Sequence, residues 1–578
     1  MSQPIVTRRR EVFGTFPVFD HQRAVRWFTV LVVSGLVLYP LFWLVLGSFQ
    51  PNPRVFEFSL EAYIDVFTSS YLPRILTNTA IMAIGTTLAA TVLGVSLAWI
   101  VARTDTPYKA LINLVALVPF ITPPMVGAIA WSYLGSPNSG FLNVAWMNLT
   151  GGDQPLFDIF TLGGLVLVMT LYLTPYVFLF TSIALQNMDP ALENAAALAG
   201  AHPVRTTLTI TLPLASPAIA SGALLVFIQS LEIFAIPAAI GSPGGHYVFV
   251  TQIYQLLLGL PPKFHHAAAL SLPLLVVCAL ALWLQLKIMG KDRAYTTVGG
   301  KSFRPKPVEL GAFKWVALAY TGLYLLLAAG LPYAVFLYGS FIKSSGLPLT
   351  LDNLTLEWVH AFFIERSNPM IWRSIQNSLV LSITGATIGM VLAALCAYYT
   401  NRGEWRGKRY LDFVAIIPVA IPGGVIAIGL LWAYIREPFQ LYGTLWIILL
   451  AYVTRYLPFG VKAVSSSIVQ VSSELEKAAH VCGANWLKSF VSVLAPVLIP
   501  GLFAGWVIMF VSMMRELSAS VMLYGFNHET MAVALYLLWD EALFQYVSIL
   551  SLVMVAVSLM AIAVVRRLAK AGNPAGIS

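Results

Sequence analysis

Twelve apolar runs, each long enough to cross a hydrocarbon core about 30 Å thick, account for most of this chain and restrict its fold more than any other feature. Six lie near residues 27–48, 77–101, 111–133, 161–184, 213–236 and 265–288, and six more near 315–341, 376–399, 410–434, 442–464, 496–520 and 542–565. Backbone in lipid must satisfy its own hydrogen bonds, so these runs predict helices. Composition agrees: only 10% of the residues are charged and 58% are hydrophobic, whereas soluble domains carry about 25% charged residues. Arg8, Arg9 and Arg10 precede the first run in the manner of a secretory signal. That run, Trp27 to Leu46, is too long and lacks a small-residue cleavage site, so it reads as a retained span.

The two sets of six repeat each other. Asn78 and Asn377, Pro119 and Pro418, and Pro123 and Pro422 stand 299 apart, while Pro217 and Pro500, Gly222 and Gly505, and Phe227 and Phe510 stand 283 apart. The drop places 16 extra residues in the first half, mainly in the Pro-, Asn- and Gly-rich stretch from Gly135 to Phe160, which reads as an exposed connection. Two halves with an even number of spans start on the same side, giving a parallel repeat about a pseudo-two-fold axis along the membrane normal. The expected division is a tail at 1–26, a first half at 27–288, a Lys-, Arg-, Gly- and Pro-rich linker at 289–314, a second half at 315–565 and a tail at 566–578.

Charge sets the orientation. Of the 34 Lys and Arg, seven fall on one side (Arg54, Arg74, Lys263, Lys343, Arg366, Arg373 and Arg436) and two, Arg455 and Arg515, fall within spans. The other 25 are on the opposite face, which the positive-inside rule makes cytoplasmic along with both termini and the linker. The net charge of +9 is scattered in short clusters and forms no long patch, so no nucleic-acid partner is expected. Cys278, Cys396 and Cys482 show neither a disulfide framework nor metal-ligand spacing.

The most informative repeat lies between the fourth and fifth runs of each half. Leu192-Glu193-Asn194-Ala195-Ala196, Gly200-Ala201 and Ile210-Thr211-Leu212-Pro213 recur 283 residues later as Leu475-Glu476-Lys477-Ala478-Ala479, Gly483-Ala484 and Val493-Leu494-Ala495-Pro496. Asp189 before Pro190 is an N-cap with proline in the first turn, and Ser473 with Glu476 forms a capping-box pattern. Ala195, Ala196 and Gly200 leave part of each helix surface flat enough for another backbone to approach. Pro213 and Pro496 are expected to end the loop and redirect the chain into the next span. Each motif thus predicts a small ledge projecting from the membrane on the cytoplasmic face, and two ledges without a soluble domain of their own call for a partner.

The pattern Glu-x-Ala-Ala-x3-Gly-x9-Ile-x-Leu-Pro before the fifth span resembles the EAA loop of permease subunits of binding-protein-dependent ABC importers. The resemblance covers nearly the whole chain twice, and it implies an all-α polytopic membrane protein of two six-helix repeats with a type I importer-like architecture. It further implies that Glu193, Ala195, Ala196 and Gly200, with Glu476, Ala478, Ala479 and Gly483, form coupling helices. These would seat in two copies of an ABC ATPase subunit that swings the spans between inward-open and outward-open states. ATP and magnesium would then belong to that partner, with no cofactor in this chain, and a separate substrate-binding protein would deliver the cargo. The family's first acidic position is Asn194 and Lys477 here, with Glu193 and Glu476 one place earlier, and the second copy carries Val493 and Ala495. The Ala-Ala and Gly positions carry the match.

The chain's own chemistry is sparse. Tyr295-Thr296-Thr297-Val298-Gly299-Gly300-Lys301-Ser302 mimics the end of a P-loop but puts Tyr295 where the first glycine must make the phosphate-cradling turn. No catalytic residue is assigned. His265 and His266 point to different faces of one helix and suit an interfacial role better than a metal site. Glu232 and Glu516 fall 19 and 20 residues after Pro213 and Pro496, roughly 30 Å along their helices and near the outer mouth. There, with Arg515, they either line a gate or meet a cationic substrate, or else form structural pairs: Arg515 with Glu516, and Glu232 with an unwound helix end near Pro237. Arg455, on the inner half of the tenth run, is expected to snorkel towards the cytoplasm.

Two permease halves fused in one chain, with Arg455-Tyr456-Leu457-Pro458-Phe459 before the second motif and Arg515-Glu516-Leu517 after it, resemble ferric-iron permeases. Fused thiamine and aminoethylphosphonate permeases are the nearest alternative, and a twelve-span carrier driven by an ion gradient is the alternative from another class. The expected setting is the bacterial inner membrane, with lipid as the surrounding partner.

Overall fold

The computed structural model describes residues 21–51, 57–189, 191–292, 307–344 and 351–571. Among them, ten helices are long and apolar enough to cross a membrane, and the number is twelve when each of two further, sharply bent helix pairs is counted as one span. The first half comprises Gln22–Gly47, Leu72–Arg103, Lys109–Ile121 with Pro124–Gly135, Leu162–Asn187, Pro203–Glu232 and Phe264–Ile288. The second comprises Phe313–Gly339, Pro369–Asn401, Lys408–Ala420 with Gly423–Tyr434, Leu445–Gln470, Trp486–Met514 and Phe544–Val564. Two isolated bridges are the only β-structure among the described residues.

The third span of each half is not the single helix its hydropathy predicts. It is bent by 95° in the first half and by 111° in the second. The break falls where a residue precedes proline and is driven out of the helical region: Thr122 and Pro123 have ψ of 130° and 133°, and Ile421 has ψ of 116°. The broken pair of the second half nevertheless runs from end to end beside the unbroken first span. Trp405 meets Trp27 at the start of the first span, and Arg436 contacts Trp43 and Gln50 at its end. In the other half Thr122 bonds Tyr333 and the Phe141 ring lies 5.6 Å from Tyr338, both near the end of the seventh span. Six spans therefore separate the two ledge motifs, which puts both on one face.

The fifth span of each half starts ten residues earlier than expected, at Pro203 and Trp486. Pro213 and Pro496 are not stops. Each sits in the first turn of an α-helix that continues from a π-helical turn, Thr207–Thr211 or Phe490–Leu494. The wider turn absorbs the missing proline N–H without ending the helix. These helices close at Glu232 and Met514, short of the predicted 236 and 520.

Within each half the second, fourth and fifth spans form the tightest bundle, and the first span of each half packs against the broken span of the other. Small residues permit these approaches. A Cβ on Gly94 would lie 2.7 Å from Val177, and one on Gly429 2.6 Å from the Pro40 carbonyl across the halves. The 16 additional residues are not a plain loop: they include the helix Phe141–Thr150, anchored by buried Asn143, which donates to the carbonyls of Ser136 and Phe157 at 2.9 and 2.8 Å. The end of the linker pairs with the first half, Val308 N–H donating to the Arg103 carbonyl at 2.7 Å. Pro190, the P-loop-like segment 295–302 and Arg8 to Arg10 lie outside the described residues.

Candidate functional site

Each ledge is an eight-residue helix, Ala191–Leu198 or Glu474–Val481, and neither contains a buried residue. The Asp189 carboxylate accepts the Ala191 N–H at 2.9 Å. In the second copy the capping box is absent: Ser473 makes no side-chain cap bond, and Ser472 accepts the Glu474 N–H at 3.3 Å. Both helices end alike. Gly200 and Gly483 adopt φ of +78° and +82°, the left-handed region that favours glycine. The N–H of Ala201 reaches the Ala196 carbonyl and that of Ala484 the Ala479 carbonyl, at 2.9 and 3.0 Å, in a Schellman closure. A Cβ at either glycine would touch nothing within 4 Å, so conformation and not crowding selects the residue.

The ledges turn apolar side chains to solvent at matched positions. Leu198 is 91% exposed and its counterpart Val481 88%; Leu192 and Leu475 are also exposed. Ala195 and Ala478 are exposed and Ala196 and Ala479 half-exposed. The glutamates do the opposite. Glu193 turns back to Arg103 at the end of the second span, at 3.2 Å, and accepts the Thr211 hydroxyl at 2.6 Å. Glu476 turns back to Arg402 at 3.3 Å and accepts the Tyr398 hydroxyl, also at 3.3 Å. Both acids that the sequence placed on the partner surface are thus tied to their own half. Arg103 and Arg402 escaped the sequence reading, although they are 299 apart like Asn78 and Asn377.

A second constellation joins the halves. Arg455 is 8% exposed, and its guanidinium bonds Glu232 of the first half and lies 3.3 Å from Glu516 of the second. Glu516 also accepts the Tyr456 hydroxyl and, at 2.8 Å, the Ala519 N–H. No other bond to the Glu232 carboxylate occurs among the described residues. Arg455 therefore does not snorkel. Its helix runs on to Gln470, so Arg455, the eleventh of 26 residues, lies in the half away from the ledges. The structural pairing of Arg515 with Glu516 does not form either: Arg515 crosses to the Phe120 carbonyl of the first half. Glu232 meets Arg455 in place of a helix end near Pro237. Gly423 makes room for the guanidinium, since a Cβ there would overlap it.

Beyond this joint, further from the ledges along the chain, two short helices, Phe249–Leu258 and Met531–Asp540, approach each other at the axis. The rings of Tyr254 and Tyr536 lie 6.1 Å apart, with Phe234 4.9 and 6.0 Å from them. His266 pairs with Asp65 at 3.1 Å. Among the described residues no group of three or more His, Cys, Asp and Glu is placed to hold a metal ion.

Set beside known proteins, the chain matches the family described as "Binding-protein-dependent transport system inner membrane component" over residues 90–290 and again over 385–572, once in each half. The ferric transport system permease protein FbpB of Actinobacillus pleuropneumoniae is 27% identical over 495 residues, covering 86% of this chain and 70% of that one. The Fe(3+)-transport system permease protein FbpB 2 of Haemophilus influenzae is 26% identical over 523 residues, covering 88% and 92%. A protein of Salmonella typhimurium described as a 2-aminoethylphosphonate transport system permease, PhnV, is 26% identical over 208 residues, 36% of this chain and 78% of its own.

Proposed function

The chain belongs to the family of binding-protein-dependent transport system inner membrane components, and from that premise we propose that it is the fused permease through which an ATP-driven importer moves ferric iron across the bacterial inner membrane. One observation carries the coupling part of this reading: two ledges on one face, closed by the same Schellman turn, offer solvent the same apolar positions. Leu192, Leu198, Ala195 and Ala196, with Leu475, Val481, Ala478 and Ala479, are the surface that two copies of an ABC ATPase subunit would cover. Glu193 and Glu476 hold that surface in place from behind, and Gly200 and Gly483 shape it. With the ledges cytoplasmic, as the Lys and Arg distribution supports, both termini are cytoplasmic and a substrate-binding protein docks on the other face. ATP and magnesium belong to the ATPase.

The cargo passes between the halves, where Glu232, Arg515 and Glu516 form the gate with Arg455. The two carboxylates and two guanidiniums of that gate balance, so its charge does not choose the cargo; the ferric-iron reading is supported by the similarity to the FbpB permeases. Similarity to PhnV supports 2-aminoethylphosphonate as a second reading, and a thiamine-type cargo is the remaining relative. The test is uptake in proteoliposomes holding the permease, its ATPase and its binding protein. Radioactive ferric iron is expected to accumulate only with ATP inside. Accumulation that needs a proton gradient and no ATPase, or accumulation of aminoethylphosphonate or thiamine in place of iron, overturns it.

A further inference from the structure

The second span of each half is clamped at both ends, and the clamps repeat. At the ledge end Arg103 holds Glu193 and Arg402 holds Glu476. At the other end Asn78 donates to the Tyr247 carbonyl at 3.0 Å, and the Thr79 hydroxyl accepts the Phe249 N–H at 3.2 Å. The second half does the same: Asn377 donates to the Glu529 carbonyl at 2.9 Å and the Ser378 hydroxyl accepts the Met531 N–H at 2.7 Å. Arg373 adds a bond to the Glu529 carboxylate at 3.1 Å. Both far clamps therefore grip the first turn of the short helix that carries Tyr254 or Tyr536. All three pairs of clamp positions, 78 and 377, 79 and 378, 103 and 402, share the 299-residue spacing.

Asn78 and Arg103, like Asn377 and Arg402, stand 25 positions apart along uninterrupted helix, Arg402 being the C-cap, about 38 Å at 1.5 Å per residue. A helix of that length without a proline inside it or a π-turn is stiff along its axis, so displacing one end displaces the other. The fifth spans, by contrast, contain π-helical turns and an internal proline, Pro217 or Pro500, and are the more compliant connection. Burial strengthens the ledge clamp. Arg103 is 3% exposed, and among the described residues Glu193 is its side chain's sole partner, so parting the two would strand a buried charge.

We propose that the second spans, Leu72–Arg103 and Pro369–Asn401, are the struts that carry ledge motion to the aromatic contact of Tyr254 with Tyr536, and that Arg103 and Arg402 are the positioning residues that fasten them. This rests on the ledges being the ATPase seats. The contact parts when the ledges are driven together or apart by the ATPase, because the first turn of each short helix, which also packs on the sixth or twelfth span, is hydrogen-bonded to its strut.

The experiment uses the full chain in lipid nanodiscs with its ATPase and binding protein, nitroxide labels replacing exposed Gln255 and Asp540, and Cys482→Ser to remove the exposed native thiol. The parent complex is expected to change its label separation on adding ATP and magnesium. Arg103→Gln with Arg402→Gln should still capture the ATPase but lose that change, and its binding-protein-stimulated hydrolysis should fall about tenfold. The charge-swapped variant, Arg103→Glu, Glu193→Arg, Arg402→Glu and Glu476→Arg, should recover both. An unchanged ATP response in the double Gln variant overturns the strut. So does loss of ATPase capture that the swap fails to restore, which would make the clamps ledge-folding contacts only. Failure of the parent chain to capture an ATPase refutes the ledge assignment instead, a result the pull-down reads before any label is placed.

Discussion

Glu232 and Glu516 share one arginine but are held differently, and that difference can be measured. Replacing Glu232 with Gln keeps the shape and an acceptor for Arg455 while giving up the charge. A hydrogen bond to a charged group contributes about 1.5–3 kcal/mol; with the guanidinium still charged and the carboxylate replaced by an amide, about half of that is taken as lost. The bond between the halves should thus weaken by about 0.75–1.5 kcal/mol, a factor of roughly three to twelve in the ratio of parted to joined halves. Little of this should appear as unfolding, because Arg455 retains Glu516 at 3.3 Å. It should appear as ATP hydrolysis in the absence of the binding protein, raised by a similar factor.

Arg455→Gln is the harsher change. It leaves both carboxylates buried without a cation, and stranding a buried charge in this way costs about 3–5 kcal/mol. Adding Glu232→Gln to it removes one of the two stranded charges, so the double variant should be more stable than Arg455→Gln alone. Thermal unfolding of the four proteins in the same detergent forms the double-mutant cycle. Effects that add within about 0.5 kcal/mol, the range found for independent sites, would refute the claim that Glu232 and Arg455 act as one joint.

Other consequences follow from single contacts. Gly423→Ala places a methyl group against the Arg455 guanidinium and should reproduce the raised, unstimulated hydrolysis of Glu232→Gln without altering any charge. Gly200→Ala with Gly483→Ala should cost about 1–2 kcal/mol at each ledge, since a side chain must enter the left-handed region, and should loosen ATPase capture in a pull-down. Gly200→Glu with Gly483→Glu should abolish it. Asn143→Ala leaves the Phe157 carbonyl without its donor and the Phe157 N–H without its acceptor; at about 1–3 kcal/mol for an unsatisfied buried group, the loop between Gly135 and Phe160 should become the first site of limited proteolysis.

The parts of this fold that were legible beforehand are those written in local sequence. Span number and the parallel repeat follow from apolar length and from Pro and Gly spacing, and the ledges follow from a motif that fits within some twenty residues. Errors arose where hydropathy was asked for geometry. Apolar windows cannot register the ψ of Thr122 or Ile421, so two broken spans read as straight, although Pro123 and Pro422, which break them, recur at the 299-residue spacing. The tenth run ends near 464 by hydropathy but its helix continues to Gln470, and that shift alone moved Arg455 from the inner to the outer half. Glu193 with Arg103, and Glu232 with Arg455, are 90 and 223 residues apart. Only the tertiary fold brings such pairs together, and the 299-residue spacing of Arg103 and Arg402 was the one available clue.

Fusion of the halves explains why the joint is built from unlike parts. Residues 232 and 515 stand 283 apart, the spacing that relates the fifth spans, so they are equivalent positions about the pseudo-two-fold axis, yet one is Glu and the other Arg. Two identical subunits would have to bring like charges to that axis, a costly arrangement in a water-poor setting. A single chain can place the acid on one side and the base on the other and give each a separate receptor across the boundary: Arg455 for Glu232 and the Phe120 carbonyl for Arg515. The ledges, which on the present reading face two copies of one partner, show the reverse constraint. There the halves keep the same glycine conformation, the same closing bonds and the same exposed apolar positions, because each must fit the same groove. The two halves thus carry opposite charges at equivalent positions where they meet each other, and keep the same helix closure and exposed apolar positions on the ledges.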